Sequence, residues 1–336
     1  MGLIVNNSSR VMVKTVLVSF ICILLSLELD AQINVGPRVE LETRSLGKFE
    51  EVHLDRLKNS KTYFVYKDSD LYHLESLSKS LKEVWHYSEL ELISFDEFRS
   101  GKYKGNYSFF TIDHLRVILK KYDYPVGFFD FCFLHLWMKT EEETLSFCRI
   151  ELQPAAEVYP VIAQSYSDTT YNGAWEYIYK RSTIHNWHLT HLKTALQYVN
   201  RKIFEAKEHK LYDAVVKENL SVLKNDTLYV PDYVRVKYSV YPGTEHKRKN
   251  LNWVFRKYKH PYRLVSEGEL FEISQTSGGT AIYLNWVKSS NHKYISVFDG
   301  KTSELLYNDA SLGRNLKVKD IKELSKAIKK AHRKHD

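Results

Sequence analysis

The chain has 336 residues, 43% of them hydrophobic and 27% charged, which is the make-up of a folded globular protein and excludes a disordered or collagen-like one. Its length allows two domains of ordinary size. The net charge of +8 is uneven: residues 33–160 carry 17 Lys and Arg against 21 Asp and Glu, so the basic excess lies wholly in 161–336.

The first 31 residues read as a signal peptide. Arg10 and Lys14 supply the charged start, Thr15–Leu27 the apolar middle, and Ala31 the small residue before a cut at Gln32. The alternative is a retained anchor, but the apolar run falls short of the ~20 residues that cross a bilayer. Cys22 lacks the small neighbours of a lipidation site, since Phe20 and Ile21 precede it. No later run is long enough to span, so no transmembrane segment is expected after cleavage. The protein is therefore expected to be exported, periplasmic or secreted. In that compartment a basic half suits anionic surfaces or acidic polymers rather than nucleic acid, or is a solvated basic face with no partner.

Two stretches then read alike, Leu57–Phe98 and Leu223–Leu270. Each opens on Leu-Lys-Asn and a short aromatic strand, "TYFVY" or "TLYVP". Each passes to an amphipathic helix, marked by Leu71, Leu74, Leu77, Leu81 and Val84 after an Asp70 cap, or by Leu251, Val254, Phe255 and Tyr258 after Asn250. Each helix feeds a second strand, "LELI" or "YRLV". A capping-box pair follows, Ser94 with Glu97 or Ser266 with Glu269. A brief helix, a third strand and an antiparallel pair complete the unit.

The expected fold is α/β: two tandem similar β-α-β-α-β-β-β units with mixed sheets, the product of an internal duplication. Their ranges are 45–155 and 221–336, with a longer loop before the second helix (roughly Tyr238 to Lys249). A helical connector, 156–220, joins them. Its stripe is Leu192, Ala195, Leu196, Val199 and Ile203, with a second piece at Leu211–Val216. A closing helix puts Ile321, Leu324 and Ile328 on one face and lysines on the other.

Three motifs of the second half carry a resemblance: "LVSEGEL", "GGTAIYL" and the hairpin "VFDGKTSELLYND". They are similar to the α/β domains of the curli-secretion pore subunit and of the TolB N-terminal domain. The resemblance covers about 100 residues in each half. It implies an envelope location and an interaction role, and it carries no catalytic residue across. The chain departs from the pattern at Ser303, where those proteins would have Gly.

Local chemistry is sparse. There is no G-x-x-x-x-G-K, no G-x-G-x-x-G and no G-x-S-x-G, and Gly278–Gly279 read as a turn into a strand. No catalytic residue and no cofactor is therefore assigned, and the protein is expected not to be an enzyme.

His185, His188 and His191 recur every third residue, which fans them over about 120° of a helix, whereas helical metal pairs converge at i and i+4. They are expected to form a polar, wet entry to a helix capped by Thr190, with Trp187 packing ahead of it, and not a metal site. Cys132 and Cys148 lie on consecutive strands. If the turn centres on Thr140 they face each other and can bond in an oxidising compartment; otherwise they are buried free thiols.

The stretch holding Lys247, Arg248, Lys249, Arg256, Lys257 and Lys259 among Trp253, Phe255 and Tyr258 suits contact with a polyanion, or is a helix with a solvated lysine face. The function expected is that of a non-catalytic envelope or secreted protein binding another macromolecule, an envelope protein or an anionic polymer. The alternative is a hydrolase of envelope polymers.

Overall fold

The structure, a computed structural model, describes residues 33–37, 47–103, 105–121, 124–167, 173–210, 214–241, 243–276 and 280–333. The signal-like segment with Cys22, and the Gly278–Gly279 turn, lie outside the described residues.

The protein is α/β with two six-stranded mixed sheets. The first half runs β1 (Ile33–Val35), α1 (Glu51–Lys58), β2 (Lys61–Tyr66), a 3-10 turn (Asp68–His73), α2 (Leu74–Lys82), β3 (Glu89–Ser94), α3 (Phe95–Arg99), β4 (Tyr107–Lys121), β5 (Tyr124–Lys139) and β6 (Thr144–Glu151). Helices α4 (Val158–Ser167), α5 (Gly173–Lys180) and α6 (Leu189–Phe204) connect it to the second.

That half runs β7 (Val215–Val216), 3-10 turns at Glu218–Lys224 and Asp232–Arg235 on either side of β8 (Leu228–Pro231), then β9 (Val236–Tyr238) and β10 (Glu245–Lys247). It continues through α7 (Asn252–Phe255), β11 (Tyr262–Val265), α8 (Glu267–Gln275), β12 (Ile282–Ser289), β13 (His292–Asp299), β14 (Glu304–Leu312) and α9 (Val318–His332).

The sheets share one strand order, β3-β2-β4-β5-β6-β1 and β11-β8-β12-β13-β14-β7. In each, the first three strands are parallel and the last three join antiparallel. Parallel strands are covered on both faces, which is why "TYFVY" and "IYLNWV" read as nearly unbroken apolar runs. Edge strands β1 and β7 lie outside the ranges expected for the halves, and Val215–Val216 is strand where helix was expected.

Helix starts follow local chemistry. Ser94 Oγ accepts from Glu97 N–H at the head of α3, and Ser266 Oγ accepts from Glu269 N–H at the head of α8. Glu269 also returns a bond to Ser266 N–H, closing the second box. Helix α6 buries its whole predicted stripe in one core that includes Phe64, Phe110 and Trp85 of the first half and Tyr283 and Phe298 of the second. Helix α9 buries Ile321, Leu324 and Ile328 against the second sheet's core.

Other expectations fail for identifiable reasons. Asp70 does not cap a helix: it sits inside a 3-10 turn, where it accepts from Lys67 N–H at 2.8 Å and leaves Leu71 exposed. The second half's amphipathic helix shrinks to the single turn α7, although Leu251, Val254, Phe255 and Tyr258 are all buried as foreseen. Ser303, in the place where Gly was the pattern, has φ of +54°, a left-handed backbone that Gly adopts freely. Its hydroxyl bonds Gln197 at 2.6 Å.

The cysteines do not face each other. Thr140 N–H bonds Glu143 O, so the turn centres on Glu141–Glu142 and not on Thr140. A bulge at Phe147 adds one more step, and Cys148 pairs with Leu136 while Cys132 O accepts from Leu152 N–H. The thiols are offset by four residues, about 13 Å along the strands, beyond disulfide reach. Both are free and buried, and burial pushes the Cys132 thiol up to about 12. Thiol counting is expected to find Cys132 and Cys148 unreactive in the native protein and both free after denaturation. Finding neither after denaturation would restore the disulfide.

Candidate functional site at the junction of the halves

Two of the three histidines, His188 and His191, are buried, not wet. His188 is the N-cap of α6, its Nδ1 accepting from His191 N–H at 3.3 Å. Histidine can do this because Nδ1 hangs on Cγ, the place where Asn carries its capping oxygen. Thr190 therefore lies inside the helix instead of capping it. His191 is fully buried between Tyr283 Oη and Asn285 Nδ2, each 3.3 Å away. Burial pushes His188 down to about 3 and holds His191 well below the usual histidine range, so both rings are neutral.

His185 turns elsewhere and bonds Glu245 Oε1 at 2.9 Å. Among the described residues no His, Cys, Asp and Glu gather as a metal set. Trp187 packs on Phe64, as a staple would, and donates to Asp70. Replacing His191 with Ala is expected to cost about 2–4 kcal/mol, through the cavity and the stranded Tyr283 and Asn285 groups. Urea denaturation measures this; a loss under ~0.5 kcal/mol would show that the ring is not packed as described.

The basic stretch does not form one face. Lys247 pairs with Asp232, and Arg248 is half-buried with Nη2 on Leu316 O at 3.0 Å. Arg256 lies over the exposed Trp253 ring at 4.7 Å, while Lys249, Lys257 and Lys259 are exposed. With α7 a single turn, these six cations spread over a strand, a loop and a turn.

What converges is built from β5, α4, β9, β10, β12 and the loop after β14. Glu151 at the end of β6 is buried, with Arg149 Nε on one oxygen at 2.5 Å and Ser289 Oγ of the second half on the other at 2.6 Å. Beside this bridge the β9–β10 hairpin, which is the longer loop of the second half, separates two cavities. One, about 600 Å³, holds the His185–Glu245 pair with Asp232 and Glu267, whose carboxyl burial pushes up. The other, about 170 Å³, is lined by Phe128, Asp130, Tyr159, Tyr238, Tyr241, Lys288 and Arg314, among others.

Lys288 is the centre of the smaller cavity. It is only 7% exposed, yet no carboxylate among the described residues pairs with it. Its ammonium lies over the Tyr159 ring at 3.5 Å and near the Tyr238 ring at 4.9 Å. Burial pushes its amine down to about 7, helped by Arg314 and opposed by Asp130 and Glu245. The nearby acids are engaged: Arg116 holds Asp130 by two bonds of 2.6 and 2.9 Å, and Glu245 takes His185 and Ala156 N–H. Sequence reasoning missed Lys288. The available signal was its place on the face of β12 that carries Ile282, Leu284 and Trp286.

A second constellation lies on the first sheet. Asp113 Oδ2 bonds His135 Nδ1 at 2.9 Å, and His135 Nε2 bonds Ser146 Oγ at 3.0 Å. This is the order of a serine nucleophile, base and orienting acid. Ser146 is 2% exposed, however, which denies a substrate carbonyl access to its oxygen.

No family model matches the chain, and neither a curated protein nor a solved structure matches it. Among the described residues no helix is long and apolar enough to cross a membrane.

Proposed function

We propose that the protein is exported and acts as a non-catalytic binding module, using the junction between its two halves to hold an acidic partner of the cell envelope. The shared strand order supports an internal duplication as the origin of the scaffold. One observation carries the reading: a buried lysine without a counter-ion opens on a cavity whose mouth adds Arg314 and the exposed rings of Phe128 and Tyr241. A buried cation left unpaired is costly, and a bound anion lowers that cost.

Fractionation and photo-crosslinking in native cells test it. The exported chain should begin at or near Gln32, and a crosslinker at Tyr241 should capture an acidic envelope component. Capture should weaken with salt and disappear with Lys288→Met. An intact Met1 in a cytoplasmic fraction refutes the export, and capture indifferent to Lys288 refutes the site.

The Asp113–His135–Ser146 line favours a second reading, a hydrolase of envelope polymers whose serine becomes accessible on substrate binding. Labelling of Ser146 by a fluorophosphonate would support it; an unlabelled Ser146 leaves the line a structural network.

A further inference from the structure

We propose that the cavity around Lys288 is a seat for the carboxylate of a uronate unit in an acidic polysaccharide, gripped between Lys288 and Arg314. This rests on the binding reading above and names its ligand.

Charge complementarity is the first argument. Two basic side chains border one small void, and the acids beside it, Asp130 and Glu245, are already bonded elsewhere, so an anion from outside would complement them and hold Lys288 as the ammonium. The tyrosine rings soften the burial of the Lys288 ammonium without neutralising it. Size is the second argument. A cavity of about 170 Å³ suits one small charged group. The third is the rim. Tyr241 is 74% and Phe128 53% exposed, and flat rings at the mouth of a charged pocket suit the apolar face of a sugar whose acid group points inward.

The proton balance follows. The groups facing Lys288 are Tyr159 of α4, Tyr238 of β9, Asp130 of β5, Glu245 of β10 and Arg314. Near neutral pH the free amine is partly deprotonated. A carboxylate favours the ammonium, so binding takes up a proton. Affinity should fall as pH rises above about 7.

Calorimetric titration of the full exported chain with tri-galacturonate tests this, with neutral tri-galactose and inorganic phosphate as controls. The expected result is binding of the uronate with proton uptake in mildly alkaline buffer, above the Lys288 value of about 7. Binding should weaken at least tenfold in Lys288→Met and in the exposed-site variant Arg314→Gln. Equal binding of the neutral sugar, or no change in both variants, overturns the proposal. Tighter binding of phosphate assigns the seat to phosphoryl groups and overturns the uronate. If uronate does not bind while Tyr241 still captures an envelope component through Lys288, only this ligand assignment falls; if capture fails too, the binding reading falls with it.

Discussion

Replacing Asp320 with Ala is expected to destabilise the protein by about 3–5 kcal/mol, the usual cost of stranding one member of a buried ion pair. Asp320 and Lys293 are 5% and 1% exposed, and the carboxylate meets the ammonium inside the second half. The same oxygen accepts from Lys317 N–H at 2.7 Å, so it also caps the first turn of α9. Lys293 keeps one further bond, to Asn315 O at 3.0 Å.

Burial already pushes the Lys293 amine down, and Asp320 opposes this. Without Asp320 the folded-state value falls further below the unfolded one. The unfolded state then binds more protons, so the variant should regain stability as pH rises towards the ordinary lysine range. Urea denaturation at neutral and alkaline pH measures both effects. The apolar pair Lys293→Met with Asp320→Leu should recover most of the loss. A single-variant loss below ~1 kcal/mol would remove this ion pair from the account of stability.

Arg149→Met is expected to cost a similar ~3–5 kcal/mol, with the opposite pH dependence. Arg149 holds Glu151 and stacks over Phe133 at 4.2 Å and Phe131 at 4.8 Å. Burial pushes the Glu151 carboxyl up, and Arg149 is the largest opposing influence. In the variant the folded-state value rises further above the unfolded one. The folded state then binds more protons, and stability falls as pH rises from the unfolded value of about 4.3 through the folded one. The variant should therefore be more stable in mild acid than at neutrality, and Glu151→Gln in that background should flatten the profile. A flat profile without the second change would mean that Glu151 is not buried as a charge.

Elements with their own periodicity could be read before the structure. The stripe of α6, the lysine-backed face of α9 and the two capping serines depend on neighbours a few residues away. The chain writes those neighbours down. The cysteine register could not be read, because it turns on where "KTEEET" reverses and on one extra residue at Phe147. Either feature moves every later pairing. Nor does the spacing of Leu251, Val254, Phe255 and Tyr258 fix helix length, since a turn buries the same four side chains.

The junction was least legible. Tyr159, Tyr238 and Lys288 lie far apart in the chain and meet only when both sheets are built. The histidines were expected as a wet helix entry, and nothing in their spacing shows that His188 caps the helix or that His188 and His191 are buried.

The β9–β10 hairpin makes the molecule lopsided in a useful way. Between β2 and α2 the first half has only a 3-10 turn, where the second half inserts this hairpin. The hairpin supplies Tyr238, Ser239, Tyr241, Gly243 and Thr244 to one cavity and Glu245, His246 and Lys247 to the other. The hairpin is thus an insertion into a scaffold whose two sheets share one strand order: exchanging it would change the walls of both cavities while leaving that order untouched. A library randomised along it would vary the lining of both cavities without redesigning the core.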